Sequence, residues 1–489
     1  MSFSYFYNIL KLLTHCDLLY LLLTHCDLPQ FRFCFRKHTI YISTPVPVLL
    51  RLRKKKMMRD YFLFVMCHTI MICVLVKSQN QTAGFINVAC GLPSVESPYE
   101  DRWTNMTYTT DAKLVQGMPA RRVDKAFQSN IRKQSLNLRF FPNGKRNCYK
   151  INVKQDTQYL IRATFFYGNY DGVNVIPTFE LYLGPNIWAK VYANDTVKEV
   201  IHFTRTKSIQ ICLVDIGSGS PFINTLELRP LDPNAYRTTT GSLKKLVRFY
   251  LSNSTDTSSI RYPDDVYDRR WRNYFEEKLW LPITMGLSLD TNDNEYDPPE
   301  KVMQTAAIPI DANATLEVEW SAESPTTQIY VYLYFSELQI LQANDTRTRE
   351  FDVFLNGASF DEPISPVPLR STTVFNDGPK LCTDGKCVLQ LKKTSRSTLP
   401  PILSALEVYT VMDILQLETN DDDVNGIKDV QDTYDLRRIT WQGDPCVPKQ
   451  FLWEGLNCNQ SDNSTPPTII SLDLSSSGLT GVPRKQFKV

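Results

Sequence analysis

The feature that most constrains the fold of this chain is an internal duplication. Three short segments recur further along the chain in the same order, and their separations widen from 168 to 172 and then 180 residues, as loop insertions would cause. One chance match would carry little weight, whereas three in order indicate a duplicated domain. The segments that begin at Tyr99, Phe179 and Pro221 recur at Tyr267, Phe351 and Pro401.

Each copy has the sequence character of β-structure. The runs 159–167 and 329–335 are rich in aromatic and β-branched residues and are short for helices. The runs 178–183 and 350–355 alternate apolar with polar side chains, as half-buried strands do, and a glycine-containing turn follows each of them. Copies of about 150 residues built in this way predict two β-sandwiches in tandem, each with its own core.

Both copies also carry motifs of a known family. Residues 87–91 read Asn-Val-Ala-Cys-Gly, residues 141–149 read Phe-Pro-Asn-Gly-Lys-Arg-Asn-Cys-Tyr, and each copy contains Phe-(Glu/Asp)-x-x-Leu closely followed by glycine. From about Gly84 to Met412 the chain therefore resembles the malectin-like ectodomain of plant receptor-like kinases. The resemblance implies an all-β fold of tandem, jelly-roll-like modules related to a carbohydrate-binding protein.

The C-terminal part carries the most specific motif. Residues 441–446, Trp-Gln-Gly-Asp-Pro-Cys, are followed by residues 453–458, Trp-Glu-Gly-Leu-Asn-Cys. This pair is similar to the disulfide-stapled cap that precedes leucine-rich repeats in plant receptors, which implies a bond between Cys446 and Cys458. Such a cap covers the open apolar edge of the first repeat. One repeat follows at 470–481, although about three are needed for a stable solenoid.

These patterns together divide the chain into consecutive segments. We expect an N-terminal extension that forms no domain (1–56), a signal peptide (57–78), a first malectin-like sandwich (79–232), a connector (233–260), a second sandwich (261–412), a linker with a helix (413–440), and a leucine-rich-repeat cap with a truncated first repeat (441–489).

The N-terminal 78 residues predict export. The stretch 51–59 is basic and includes Met57 and Met58, and the apolar run 61–76 follows it. That run is short for a membrane span and suits the central region of a signal peptide. We expect a mature chain that begins near Gln79, with an uncleaved signal anchor as the alternative. A Thr-His-Cys-Asp-Leu stretch that occurs twice in 1–56 has metal-ligand residue types, but no regular scaffold surrounds it, and we interpret it as a short duplication.

Charge argues against a nucleic-acid partner. Residues 79–489 hold 43 Lys and Arg against 49 Asp and Glu, so the exported part is mildly acidic and lacks the basic surface that phosphates attract. Asn-x-Ser/Thr sequons behind a signal peptide instead fit a glycosylated extracellular protein. The predicted glycosylation sites are Asn80, Asn105, Asn194, Asn253, Asn313, Asn344, Asn459 and Asn463.

Seven cysteines remain after the signal peptide, so at least one stays free or pairs outside the chain. Cys382 and Cys387 flank an Asp-Gly pair that predicts a two-residue hairpin turn, with the two cysteines directly opposed. A disulfide there is geometrically reasonable, and no nearby histidine or further cysteine favours zinc. The pairing of Cys90, Cys148 and Cys212 stays open.

Catalytic residues are scarce in the exported part. His202 is the only histidine after Ser78, and it lies in a strand-like stretch where a lone histidine is usually structural. Catalytic triads and histidine-rich metal sites would all depend on it. A glycosidase could use paired carboxylates, but no acid pair has a recognisable setting. We expect no enzymatic activity, no metal and no cofactor.

The candidate ligand site combines a loop of the first copy with an aromatic pair of the second. The loop 167–172 offers aromatic rings and polar groups that suit a sugar, and core-facing tyrosines in an ordinary turn are the alternative. Animal malectin resembles the second copy at an aromatic pair that contacts its sugar, and an acid of the first copy matches its sugar-contacting acid. We expect a cleft between the sandwiches, where Tyr170→Ala weakens sugar binding without unfolding the domain. The candidate ligand-binding residues are Tyr167, Asn169, Tyr170, Asp171, Asp215, Tyr334 and Phe335.

Together these patterns predict the extracellular recognition part of a malectin-like, leucine-rich-repeat receptor kinase. It would bind a cell-wall saccharide or a peptide or protein ligand, and possible partners include a co-receptor. The family implies further repeats, a membrane span and a cytoplasmic kinase, which are absent from these 489 residues. We therefore expect the outer face of the plasma membrane for a full receptor and the extracellular space for this chain alone. The alternative is a secreted carbohydrate-binding or decoy module without a kinase.

Overall fold

The computed structural model describes residues 83–129, 131–192, 194–239, 241–291, 294–339, 346–382, 384–436, 438–459 and 465–475. The predicted extension and signal peptide, the sequons at Asn80, Asn344 and Asn463, and the part of the predicted repeat beyond Ser475 lie outside these residues. The chain divides into two units, Met1–Ala83 and Gly84–Val489, and the described elements belong to the second unit.

The first copy folds into two packed layers of strands. Strands β1, β13, β7 and β10 form one layer, and β6, β11, β8 and β9 form the other. Rings such as Phe165, Phe179 and Trp188 fill the space between the layers. The strands are β1 (Ile86–Ala89), β2 (Tyr99–Glu100), β3 (Thr107–Thr110), β4 (Ala120–Arg122), β5 (Asn137–Phe140), β6 (Arg146–Asn152), β7 (Thr157–Phe166), β8 (Thr178–Leu183), β9 (Asn186–Val191), β10 (Asp195–Thr204), β11 (Ser208–Ser218), β12 (Phe222–Ile223) and β13 (Thr225–Pro230).

The second copy and the C-terminal segment that is predicted to be a cap complete the described structure. The elements are β14 (Ser242–Leu251), β15 (Arg272–Tyr274), β16 (Trp280–Thr284), α1 (Glu300–Met303), β17 (Thr305–Pro309), β18 (Leu316–Ser321), β19 (Gln328–Phe335), β20 (Phe351–Leu355), β21 (Ala358–Ser359), β22 (Thr372–Phe375), β23 (Lys380–Leu381), β24 (Lys386–Lys393), β25 (Ala405–Met412), α2 (Asp421–Thr433), β26 (Leu456–Asn459) and β27 (Thr468–Leu472). Short 3-10 turns lie at Ser94–Glu96, Lys125–Phe127, Lys133–Ser135 and Lys449–Phe451. The predicted all-β class is confirmed.

Strand order confirms the duplication. The path β13-β7-β10 of the first copy has the same form as β25-β19-β22 of the second, and β6-β11-β8-β9 corresponds to β18-β24-β20-β21. Even the parallel pair β1–β3 returns as β14–β15. The second and third of the recurring segments fall in equivalent strands, β8 with β20 and β13 with β25.

The first recurring segment, which begins at Tyr99 and at Tyr267, does not occupy equivalent positions in the two copies. Tyr99 lies in β2 opposite Tyr108, whereas Tyr267 lies in a loop. Trp103 is 60% exposed, but Trp271 is fully buried, and its indole N–H donates a hydrogen bond to Asp265. The two loops therefore use their tryptophans differently, and the residue-by-residue match between them is wrong.

The predicted connector 233–260 contains a ten-residue strand that joins the two copies. The first part of β14 pairs with β10 of the first copy, where Ile201 lies opposite Leu243. The last part pairs with β15, and the other edge of β14 runs along β25 of the second copy. Hydrogen bonding is therefore continuous from one sandwich into the next, and a flexible connection between separate domains is ruled out for this segment.

A network of buried charges crosses the same junction. Arg162 of β7 donates to Glu199 at 2.7 Å and to Asp268 at 3.0 Å, and Arg248 of β14 donates to Glu199 at 2.7 Å. Arg248 also donates to Glu407 of β25. Burial alone would raise the pKa of Asp268, but the arginines around it overcome that effect and hold its pKa well below the ordinary value. The network therefore keeps its carboxylates ionised in the interior.

Neutralising one carboxylate of this network should cost much more stability than breaking an exposed ion pair. We expect Asp268→Asn to lower the free energy of unfolding by about 3–5 kcal/mol, because it leaves buried guanidinium groups uncompensated. The matched control is Glu319→Gln, whose partner Lys386 lies 2.7 Å away in an exposed pair and whose loss should cost less than about 1 kcal/mol. Thermal unfolding of the secreted chain measures both, and equal melting temperatures for the two variants would contradict the expected role.

Candidate functional site

In the predicted binding loop 167–172, the tyrosine side chains pack inside the protein and do not face a ligand. Tyr167 and Tyr170 are only 2% and 9% exposed and belong to the core of the first sandwich. The ring of Tyr170 lies 5.4 Å from that of Phe140 and 5.7 Å from that of Phe222, centroid to centroid. The core-facing alternative therefore describes these tyrosines. Tyr170→Ala would open a cavity, so it would unfold the domain in part rather than report cleanly on binding.

The polar residues of this loop hold the turn together. Asn169 has a left-handed backbone, with φ of 50°, and its side-chain oxygen accepts a hydrogen bond from the Asn174 N–H at 2.8 Å. Asp171 accepts one from the Tyr167 hydroxyl and another from the Val173 N–H. Both side chains stay near the surface, but the amide oxygen of Asn169 and one carboxylate oxygen of Asp171 already have partners within the loop.

The aromatic pair predicted as the second wall is also in a core. Tyr334 and Phe335 lie in β19, which is hydrogen-bonded along both edges, and both side chains are fully buried. The Tyr334 hydroxyl donates to Glu407 at 2.6 Å, and the Phe335 ring packs against Phe351. The expectation that this pair faces a ligand is wrong, because the unbroken apolar run of β19 is typical of a strand buried on both faces.

Asp215, the candidate acid, lies at an irregularity of the strand pairing. It is half-buried, in β11, where the register with β8 shifts between Asp215 and Ser218. Its carboxylate accepts a hydrogen bond from the Gly217 N–H at 2.7 Å. Asp215 thus lies in a different sheet from Tyr334 and Phe335, and its carboxylate is used within its own strand.

Three disulfides form among the described residues. Cys446 bonds to Cys458, and Cys382 to Cys387, as expected, while Cys148 bonds to Cys212. The predicted hairpin at Cys382 is wrong, because β23 pairs with β19 whereas β24 pairs with β18 and β20, so this bond joins strands of different sheets. Cys90 is free and buried, and burial raises the pKa of its thiol.

The segment predicted to be a cap docks on the β6-β11-β8-β9 layer of the first sandwich, and one arginine makes several of the contacts. Arg146 of β6 donates to the carbonyl groups of Val447 at 3.1 Å and Asp444 at 2.7 Å, and also to those of Gln442 and Phe451. The sequence alone gave no role for Arg146, although it lies in the Phe-Pro-Asn-Gly-Lys-Arg-Asn-Cys motif. The predicted linker is also attached to the first sandwich, because the side chain of Asn186 in β9 forms hydrogen bonds with the backbone of Gln416.

A cleft of about 1050 Å³ lies beside this docking surface. Its walls come from strands β10 and β11 of the first sandwich, from the segment 233–243, and from the segment 414–421 that leads to the cap. Phe203 and Arg205 lie on the first wall, Arg237 on the second, and Ile414 and Glu418 on the third. We refer to it as the junction cleft. It occupies the kind of place between modules where binding sites are favoured.

Two titratable groups of the junction cleft have shifted pKa values. His202 bonds through Nδ1 to the Ser242 hydroxyl at 2.8 Å, and burial together with Arg205 lowers its pKa to about 4. Burial, with the nearby carboxylates of Asp444 and Asp421, raises the pKa of Glu418 to about 7. The histidine is thus neutral and structural at mildly acidic pH, and it ties β10 to β14.

The described residues offer little for metal or membrane chemistry. Among them, no three His, Cys, Asp or Glu side chains are grouped closely enough to hold a metal ion. No helix in the described ranges is both long enough and apolar enough to cross a bilayer.

Comparison with known proteins places this architecture among plant receptors. The malectin-like domain family matches residues 88–411. The probable LRR receptor-like serine/threonine-protein kinase At1g51820 of Arabidopsis thaliana is 53% identical over 431 residues, which cover 88% of this chain and 48% of that protein. Receptor-like protein kinase At3g21340 of the same plant is 54% identical over 83% of this chain and 45% of its own length. The chain thus spans about half the length of the curated relatives it matches.

Solved structures share the fold at low sequence identity. The ANX2 ectodomain from Arabidopsis thaliana superimposes with a TM-score of 0.57 at 17% identity, over 68% of this chain and 97% of that one. A second neighbour is described as the plant peptide RALF23 in complex with FER and LLG2, with a TM-score of 0.52 at 15% identity, over 67% and 94% of the two chains.

The two shifted groups predict opposite pH dependences of stability. Because the folded pKa of His202 is depressed to about 4, its contribution is present above the unfolded pKa near 6.5 and is lost as pH falls towards 4. We expect His202→Asn to remove about 2–3 kcal/mol of the acid-induced loss in the free energy of unfolding. Because the folded pKa of Glu418 is raised, its contribution is present below about pH 4.3 and is lost as pH rises to about 7.

Thermal unfolding at pH 4.5, 5.5 and 7 tests both assignments. Relative to the parent chain, His202→Asn should flatten the decline towards acid, and Glu418→Gln should flatten the decline towards neutral pH. Parallel pH profiles for all three chains would contradict the assignments.

Proposed function

The chain belongs to the malectin-like domain family, and on that premise we propose that it is the extracellular recognition part of a receptor-like protein kinase, with no catalytic role of its own. The support is the 53% identity with a receptor-like kinase across 88% of the chain. The kinase and membrane span would lie in the half of the relatives that these residues do not match. The secretory pathway would deliver the chain to the cell surface.

We propose a peptide or protein segment, rather than a free sugar, as the ligand of the junction cleft. The aromatic residues predicted to stack on a sugar ligand, Tyr167, Tyr170, Tyr334 and Phe335, are buried in the two cores. The cleft instead offers Phe203, which is 48% exposed, next to the exposed guanidinium groups of Arg205 and Arg237. The carboxylate of Asp421, which is exposed, stands on the facing segment and supplies the opposite charge. An apolar contact flanked by opposite charges suits a peptide, whose side chains and backbone vary along its length.

A rigid recognition unit suggests how binding would act. The continuous sheet and the buried charge network leave no hinge between the two sandwiches, and Arg146 fixes the cap on the first one. A ligand in the junction cleft would touch the first sandwich and the segment leading to the cap at once. We therefore propose that the bound ligand creates a composite surface for a co-receptor. One solved neighbour with this fold is described as a complex of the plant peptide RALF23 with FER and LLG2, so it contains a peptide and a further protein.

Binding measurements on the secreted chain test the ligand class. A panel of synthetic secreted plant peptides that includes RALF23, and a glycan array, would be applied to residues 79–489. We expect at least one peptide to bind, and Phe203→Ala to weaken it about tenfold, the effect of losing a buried apolar contact of about 1.4 kcal/mol. The matched control is Phe127→Ala, another exposed phenylalanine, which lies outside the cleft.

The outcomes separate the two ligand classes. Equal losses of affinity in the two phenylalanine variants would move the site away from the junction cleft. Glycan binding by the folded chain, with no peptide bound from the panel, would overturn the peptide proposal and restore the saccharide hypothesis.

A further inference from the structure

The two most exposed aromatic side chains share an unusual place in the sequence. Among the exposed aromatic residues of the described ranges, Tyr192 and Trp103 have the largest exposed fractions, 65% and 60%. Each stands two positions before the asparagine of a predicted glycosylation sequon, Asn194 for Tyr192 and Asn105 for Trp103. Exposing a large ring to water forgoes the free energy of apolar burial. The same exposed ring at two separate sequons therefore indicates that another group covers it.

The first of these sequons lies on a tightly built hairpin turn. The turn joins β2 to β3, and the Asp101 carboxylate accepts hydrogen bonds from the Thr104 N–H at 3.1 Å and from the Thr104 hydroxyl at 2.8 Å. Asn105 has a left-handed backbone, with φ of 53°, and is exposed, as is Thr107 of the same sequon. The turn therefore presents both the tryptophan and the acceptor asparagine to solvent.

The second sequon lies on the turn between β9 and β10. The side-chain oxygen of Asn194 accepts a hydrogen bond from the Gly168 N–H at 3.2 Å. This contact uses the oxygen of the amide and leaves the nitrogen, which is the atom that carries a glycan, out of the interaction. Tyr192 precedes it on the exposed side of the turn.

Each ring also has a cation beside it. The guanidinium of Arg102 lies 4.6 Å from the centroid of the Trp103 ring, and the ammonium of Lys198 lies 5.8 Å from that of Tyr192. A cation within about 6 Å of a ring is held by it and holds the ring in place. The rest of each ring surface remains open to solvent. Two residues span at most about 7 Å of backbone, so the first sugar on either asparagine is within reach of its ring.

We propose that Trp103 and Tyr192 are stacking platforms for the chain's own N-glycans, each packing against the first N-acetylglucosamine on Asn105 and Asn194. The apolar C–H face of the sugar covers the exposed ring, and both surfaces leave water. The contact stabilises the two turns and fixes the direction in which each glycan leaves the protein. The inference rests on export and glycosylation of the chain, and it is independent of which ligand the junction cleft binds.

A thermodynamic cycle on the secreted, glycosylated chain tests the contact at Trp103. Glycopeptide mass spectrometry first measures the occupancy of Asn105 in the parent chain and in Trp103→Ala. We expect Trp103→Ala to lower the melting temperature by about 1–3 °C when Asn105 carries its glycan. In the Asn105→Gln background the same substitution should have less than half of that effect, because the sugar partner is missing. Trp103→Phe, which retains an aromatic ring, should recover part of the loss.

Enzymatic trimming and a matched control sharpen the result. Cleavage that leaves a single N-acetylglucosamine should keep the effect of Trp103→Ala, whereas complete removal of the glycan should abolish it. The control sequon is Asn313, which has Asp311 in the corresponding position, and Asp311→Ala with Asn313→Gln should be additive. The same cycle with Tyr192→Ala and Asn194→Gln tests the second platform. An unoccupied Asn105, or additive effects of Trp103→Ala and Asn105→Gln, would overturn the proposal.

Discussion

The orientation of the two sandwiches depends on buried charges at their junction. Arg162 bridges Glu199 and Asp268, and Arg248 bridges Glu199 and Glu407, so residues of both copies share one network. Buried ion pairs are weak evidence for overall stability, since desolvation offsets much of the attraction. They are demanding in geometry, however, because any shift of one copy against the other would leave a guanidinium or a carboxylate unpaired in the interior. The network therefore favours one arrangement of the copies.

Duplication supplied part of this network. Glu227 and Glu407 occupy equivalent places in β13 and β25, within the third recurring segment, and both are fully buried. Glu227 accepts hydrogen bonds from Arg162 and from the Tyr108 hydroxyl, whereas Glu407 accepts them from Arg248 and from three tyrosines. The two copies thus place one buried carboxylate each at equivalent positions on either side of the junction. The strand β14 then continues the sheet through the same place, so backbone and side chains specify the same geometry.

Local sequence patterns predicted the strands of this fold well, but they did not predict which residues pack against those strands. Alternation and turn residues identified β8 and β20, and the repeated segments revealed the duplication, because these signals depend on neighbours in sequence. The burial of Tyr170 and Tyr334 could not be predicted in this way, since an aromatic ring in a strand or turn suits either a core or a ligand. The partners of Arg248 were equally hidden, because Glu407 lies 159 residues away. The junction cleft is formed by three such distant segments, and the candidate site built from motifs missed it for that reason.

The predicted glycosylation sites and the junction cleft occupy different parts of the surface. Asn194 lies against the loop 167–172, with its carbonyl group 2.8 Å from the Tyr167 N–H, so a glycan there would stand at the very loop that the sequence proposed for an external sugar. None of the residues that line the junction cleft is the asparagine of a sequon. A glycan excludes protein partners from its neighbourhood through its volume and bound water. The junction cleft, which collects apolar and charged side chains and has no sequon asparagine in its lining, is therefore a surface on which protein recognition needs no glycan to be displaced from the walls.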